Sequence, residues 1–178
     1  LLAGKFDLIV AGMSITDERK QTMDFSVPYR SSTARFVGAK TLNVQPIGAD
    51  GKPDPKALAG KTVGLQRSST YEQFMTKEFP GVKLAQYDTV DNLLLDLQSG
   101  RIDLAFAGPI KLDGDFLQKP RGEKFHFVGP EINNVALFGP GVGVALRKED
   151  SALRDQIDAA LNASFKDGSF KAINDRYW

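Results

Sequence analysis

Cysteine is absent from the chain, which excludes disulfides and thiolate metal sites. A single histidine, His126, argues against a zinc centre. No apolar run approaches the ~20 residues of a membrane-spanning helix. Neither sign of charge dominates, with 23 Lys and Arg against 22 Asp and Glu. No basic cluster exceeds a neighbouring pair, which argues against a nucleic-acid partner. Internal repeats and low-complexity segments are missing too. With 178 residues there is room for one domain or two small ones.

What is present begins with Gly12-Met13-Ser14-Ile15-Thr16-Asp17-Glu18-Arg19. An apolar strand over Phe6 to Val10 runs into it and a helical turn leaves it. Thr16 suits an N-cap, and Asp17 and Glu18 fall in the first turn, where the helix dipole favours acids. Arg19 stands one turn in, close to the strand end. The carboxyl end of a strand facing a helix N-terminus is where α/β folds bind small anions. A guanidinium there offers a planar fork of donors that fits a carboxylate. A solvated ion pair of Arg19 with Asp17 or Glu18 is the plainer alternative. Lys61 to Gln66 is a second short strand, followed by Arg67-Ser68-Ser69-Thr70 and by Tyr71, Phe74 and Met75 at helical spacing. Ser69 and Glu72 have the Ser-x-x-Glu spacing of a capping box. The junction is a second candidate anion cradle, or a cap and nothing more.

Strands and helices alternate along the rest, which predicts an α/β architecture with mainly parallel sheets. Leu1 to Lys5 reads as the last turn of a helix stopped by Gly4, so the chain resembles the continuation of a longer sequence. Phe6 to Ala11 reads as a buried parallel strand. Asp24 to Tyr29 is extended, with Pro28 keeping Val27 out of a helix. Ala34 to Ala39 is a strand and Thr41 to Ala59 a loop rich in Pro and Gly. Val82 to Tyr87 is a strand. Val90, Leu93, Leu94 and Leu97 give an amphipathic helix closed by Gly100. Ile102 to Ala107 is a buried strand ended by Gly108-Pro109, and Lys111 to Arg121 carries a short helix before Pro120. Phe125 to Val128 is a strand in which His126 alternates with phenylalanines and reads as structural. Gly139 to Leu146 is glycine-rich but lacks the Lys-Ser/Thr ending of a phosphate loop, so it carries no nucleotide reading. Ser151 is expected to cap a helix with Leu153, Ile157, Ala160, Leu161 and Phe165 on one face, stopped by Gly168. A last helix starts at Ser169, with Phe170, Ile173 and Tyr177 on one side.

GMSITDERKQTMDFSVPY, KALAGKTVGLQRSSTYEQF, SGRIDLAF and GVGVALRKEDSAL, in this order, resemble the polar amino-acid family of solute-binding proteins. These are the extracytoplasmic receptors of ABC importers, including lysine/arginine/ornithine-, histidine- and opine-binding members. The resemblance covers essentially the whole chain. It implies the two-lobed periplasmic-binding-protein type II fold with a two-strand hinge. Residues 1–30 and 134–178 would belong to lobe one and residues 31–133 to lobe two, with lobe one incomplete here. It implies a periplasmic location, a small-molecule ligand, an ABC permease as partner, no cofactor and no catalysis. Arg19 would bind the ligand α-carboxylate, while Ala11, Gly12 and Ser14 would meet its amino and carboxylate groups. Ser69 and Thr70 would add amide and hydroxyl donors from across the cleft, and Gln66 and Tyr71 are the visible lobe-two candidates for the ligand side chain.

One position departs from the family pattern. Typical members place an aspartate after the strand that is Ile102 to Ala107 here, and it pairs with the ligand ammonium. Gly108 stands there, with Asp113 and Asp115 the nearest acids in sequence. Glycine would leave room for a substituent on the nitrogen, as in opines, or Gly108 would be a backbone requirement of the Gly-Pro turn. An enzyme on the same fold, such as a cyclohexadienyl dehydratase, and a sensor ectodomain are the alternative functions. The dehydratase would need a titrating acid or base in the site.

Overall fold

A computed structural model describes residues 1–177, with side chains through Arg176. In chain order the elements are β1 (Leu8–Ile9), α1 (Asp17–Lys20), β2 (Asp24–Phe25), β3 (Ala34–Ala39), β4 (Thr62–Gln66), α2 (Thr70–Glu78), β5 (Lys83–Tyr87), α3 (Val90–Gln98), β6 (Leu104–Ala107), α4 (Pro109–Leu112), β7 (Phe125–Ile132), α5 (Val135–Phe138), β8 (Ala145–Leu146), α6 (Ser151–Asp167) and α7 (Ser169–Tyr177). The backbone separates into two compact units, residues 1–32 with those from 134 on, and residues 33–133.

In the second unit five strands lie in the order β5-β4-β6-β3-β7. β4 is parallel to β5 and β6, as the alternation with helices requires. β3 is antiparallel to β6 and β7. This sheet is therefore mixed, not mainly parallel: β3 enters and β7 leaves at one edge, and neither is joined to its neighbour through a helix. β6 is buried along its whole length, which explains its unbroken run Leu-Ala-Phe-Ala. One face of the core stacks Phe36, Phe74, Phe79 and Phe106, with Phe36 and Phe106 centroids 4.4 Å apart. The other face holds Leu93, Leu94 and Leu97 of α3 with Leu112 and Phe116. The apolar spacing of α3 lands those leucines inward, and Gly100 (φ +74°) ends the helix.

The short helix expected within Lys111 to Arg121, before Pro120, begins two residues earlier at Pro109, whose fixed φ suits the first helical position. It continues as a π turn over Asp113–Leu117, and Pro120–Gly122 forms a separate 3-10 turn. β7 runs on to Ile132, past the expected end at Val128.

The first unit carries the small antiparallel sheet β1-β8-β2. Here β1 is two residues long, not the buried parallel strand expected over Phe6 to Ala11, and Phe6 and Val10 are exposed. Gly4 closes a turn, its N–H on the Leu1 carbonyl. α6 is capped at Asp150, with Ser151 as its first residue, not its cap. Gly168 stops it in the left-handed region. Leu153, Ile157 and Leu161 are half-buried, and no residue of α6 is fully buried. The helix is tied to its unit by polar contacts: Arg154 Nη1 to Asp24 Oδ2 at 2.5 Å, and the Val27 amide to Asp158 Oδ1 at 2.7 Å. Phe165 and Phe170 meet edge-on across the α6–α7 corner. The Tyr177 side chain lies outside the described residues.

Candidate functional site

In the first unit the chain leaves β1, turns through Ala11 and Gly12, and enters α1 with Thr16 as N-cap. Thr16 Oγ1 accepts from the Arg19 amide at 3.3 Å. Arg19 Nη1 donates to the Ser14 carbonyl at 2.9 Å, which fixes the guanidinium beside the turn that precedes its own helix. Ser14 is 3% exposed, and its Oγ lies 2.7 Å from Ser32 Oγ, so this hydroxyl is engaged within the protein. Ala11 and Gly12 are exposed.

The glycine-rich stretch forms the back of this turn. The Ile15 amide donates to the Gly141 carbonyl at 2.8 Å, and the Gly143 amide to the Met13 carbonyl. Gly139 has φ +74°, and a Cβ there would stand 1.7 Å from the Ile15 carbonyl oxygen. Only glycine lets the two backbones approach so closely.

Besides Ser32, two residues join the turn that sequence spacing did not single out. Tyr29 Oη donates to the Ala11 carbonyl at 2.6 Å. Burial raises the pKa of that phenol, against a smaller lowering by the Arg30 charge, and keeps it a donor. Arg30 Nη2 reaches within 3.9 Å of where a Gly12 Cβ would be. The available signal was the Phe25–Tyr29 segment, which ends on the first of them.

In the second unit β4 passes into α2. Ser69 caps the helix, its Oγ accepting from the Glu72 amide at 3.3 Å and donating to the Gln66 carbonyl at 2.5 Å. The reciprocal half of the expected capping box is displaced by one residue, because Glu72 Oε2 accepts from the Ser68 amide at 2.6 Å. Ser68 occupies the left-handed region at φ +53°, a strained position for a non-glycine residue that this contact helps to hold. Thr70 is 4% exposed at the first helical position. Gln66 Nε2 donates to the Asp88 carbonyl at 3.0 Å.

Tyr71 projects from the first turn of α2 toward Gly108, its Oη donating to the Thr33 carbonyl at 3.4 Å. A Cβ built on Gly108 would lie 2.9 Å from that hydroxyl. The open space expected beside Gly108 is therefore taken by a phenol. The backbone does not demand glycine either, since φ −62° and ψ 133° suit any residue. Of the nearby acids, Asp115 pairs with Lys111 at 2.5 Å, which holds its carboxyl below the usual range. Asp113 Oδ1 and Oδ2 accept from Gln118 at 3.3 Å.

His126 is exposed on β7 between half-buried Phe125 and Phe127. A surface cavity of about 390 Å³ between residues 42–49 and 126–130 shares no residue with either junction. Among the described residues no three His, Asp or Glu side chains gather to hold a metal.

The chain belongs to the bacterial extracellular solute-binding proteins, family 3, and the match runs over residues 1–178. It is 37% identical over 177 residues to the L-arginine-binding protein of Pseudomonas aeruginosa, covering 98% of this chain and 65% of that protein. It is 34% identical to the histidine-binding periplasmic protein of Salmonella typhimurium, covering 100% of this chain and 66% of that one. The chain thus spans about two thirds of the length of these curated relatives. Among solved structures, an ancestral arginine-binding protein bound to glutamine aligns with a TM-score of 0.83 at 32% identity, over 99% of this chain and 72% of that one. An arginine transport-system periplasmic binding protein from Legionella pneumophila aligns with a TM-score of 0.85 at 22% identity, over 100% and 75%, and shares the fold. The fold is the type II two-lobed fold of periplasmic binding proteins.

Proposed function

We infer that this chain is the ligand-binding part of an extracytoplasmic receptor that delivers an amino acid to an ABC permease. The observation that carries the inference is Arg19, held by the Ser14 carbonyl at a strand-to-helix junction and backed by the Gly139–Gly143 stretch. A carboxylate taken from water needs a positive partner and several donors. In this reading Arg19 supplies the charge, and backbone groups at Ala11 and Gly12 line the same end of the ligand. Ser14 acts through its carbonyl, which orients Arg19. Ser69 and Thr70 at the start of α2 complete the carboxylate's donors, Gln66 lies at the same junction, and Gly108 stands at the amino end.

The ligand class is an amino acid with a free α-amino group. The names of the relatives, arginine- and histidine-binding, support a polar or basic side chain. The phenol beside Gly108 occupies the space a side chain from that position would enter, which supports a free amine over an N-alkylated one. Binding, not catalysis, is the proposed activity, with the periplasm as its location. Titration of the full-length protein with L-arginine, L-histidine and L-glutamine, beside a turnover assay with prephenate or arogenate, tests this. Saturable 1:1 binding without product formation is expected. Product formation, or no binding of any of the three, would overturn it.

A further inference from the structure

Gly108 is constrained by a side chain, not by its backbone. A Cβ at 108 would meet Tyr71 Oη at 2.9 Å and Cζ at 3.9 Å, and the first distance forces something to move. The phenol is not loose. Its ring lies edge-on to Phe106, centroids 5.9 Å apart and planes at 80°, and Phe106 is fully buried in the aromatic stack. Its hydroxyl is directed at the Thr33 carbonyl. Tyr71 therefore fills the volume that a side chain from position 108 would enter.

We propose that Tyr71 Oη and the Thr33 carbonyl together receive the ammonium group of the bound amino acid, so that Tyr71 is a specificity-determining residue. The proposal rests on the reading of the site given above. An ammonium brings three donors. The phenol oxygen accepts one while its own proton stays on the Thr33 carbonyl, and that carbonyl has a second lone pair for another. A neutral pair of acceptors offsets the desolvation of a charge less completely than a carboxylate does. The site then recognises the amine by hydrogen-bond geometry and draws most of its charge complementarity from the carboxylate end.

The test is calorimetry on the full-length protein with L-arginine, and competition against it with 5-guanidinopentanoate, the same molecule without its α-amino group. When L-histidine binds more tightly, L-histidine and imidazolepropionate form the pair, and when L-glutamine does, glutaramate is its counterpart. Tyr71→Phe keeps the ring contact with Phe106 and removes only the hydroxyl. It is expected to lower affinity for the amino acid about ten- to a hundredfold, by the usual worth of a hydrogen bond to a charged group, and to leave the des-amino compound nearly unchanged. Adding Gly108→Asp to Tyr71→Phe, where the Cβ has room, should restore binding of the amino acid alone. Equal losses for both compounds, or no loss for the amino acid, would overturn the role of Tyr71 and leave the receptor reading standing. Wild-type protein that binds none of the three amino acids removes the receptor reading and this proposal with it.

Discussion

Position 139 shows how a single residue supports the Arg19 turn. Gly139 sits at φ +74° against the Ile15 carbonyl, and the neighbouring glycines accept from and donate to Met13–Ile15. Gly139→Ala should destabilise the first unit by more than ~3 kcal/mol, because left-handed strain and a Cβ brought to 1.7 Å from the Ile15 carbonyl oxygen act together. A thermal melt within about a degree of wild type would show that the two backbones are not held as described. The glycine run was legible as not being a phosphate loop, but its purpose was not. Close approach of two backbones distant in sequence leaves no mark in local periodicity. Tyr29, Arg30 and Ser32 escaped for the same reason: each meets the turn through a partner 18 residues away or through space. Gly108 was singled out as a departure from the family pattern, yet the space beside it could not be judged without knowing where Tyr71 points.

At the level of elements, β5 and α3 are joined by Tyr87 Oη donating to Asp96 Oδ2 at 2.9 Å, with Arg101 Nη1 on Asp96 Oδ1 at 2.5 Å. Burial first, and then the Asp96 hydrogen bond and charge, push the Tyr87 phenol up to about 12 from 10.0. A raised folded-state value means that the neutral phenol is favoured in the fold. Its stabilisation is complete below about pH 10 and is lost between about 10 and 12. The effect is under ~1 kcal/mol for so accessible a group. Melting midpoints of wild type and Tyr87→Phe should therefore differ by a constant amount up to about pH 10 and converge above it; a gap that widens in that range would contradict the assignment. α6 is held differently. With no fully buried residue, it relies on Asp158 and Arg154, and Asp158→Ala should cost ~1–2 kcal/mol by stripping the Val27 amide of its acceptor. A denaturant midpoint unchanged by Asp158→Ala would refute that anchor. The strong periodicity of α3 made its boundaries and buried face readable from sequence. The bounds and pairing of the two-residue strands β1, β2 and β8 were not readable, because elements so short are defined by pairing across the chain. The antiparallel edge of the larger sheet was hidden likewise, since strand direction at β3 and β7 depends on non-local connection.

For the whole molecule, the two units differ in how well they cover their apolar surface. The second has a core of fully buried phenylalanines and leucines. The first exposes Leu2 (62%), Phe6 (63%), Val10 (67%) and Ile173 (61%). Exposed apolar groups on this scale favour association, so a polypeptide of these 178 residues alone should show concentration-dependent self-association in sedimentation. A monomer at every concentration would count against this. The central claim is that Arg19 anchors the carboxylate of an amino-acid ligand. Its most direct test is calorimetric titration of the full-length protein and its Arg19→Ala variant with L-arginine, L-histidine and L-glutamine, beside thermal melts of both. Loss of the buried ionic partner, worth ~3–5 kcal/mol, predicts that affinity falls by more than a hundredfold while the melt shifts little. Unchanged affinity in a folded Arg19→Ala protein would contradict the claim.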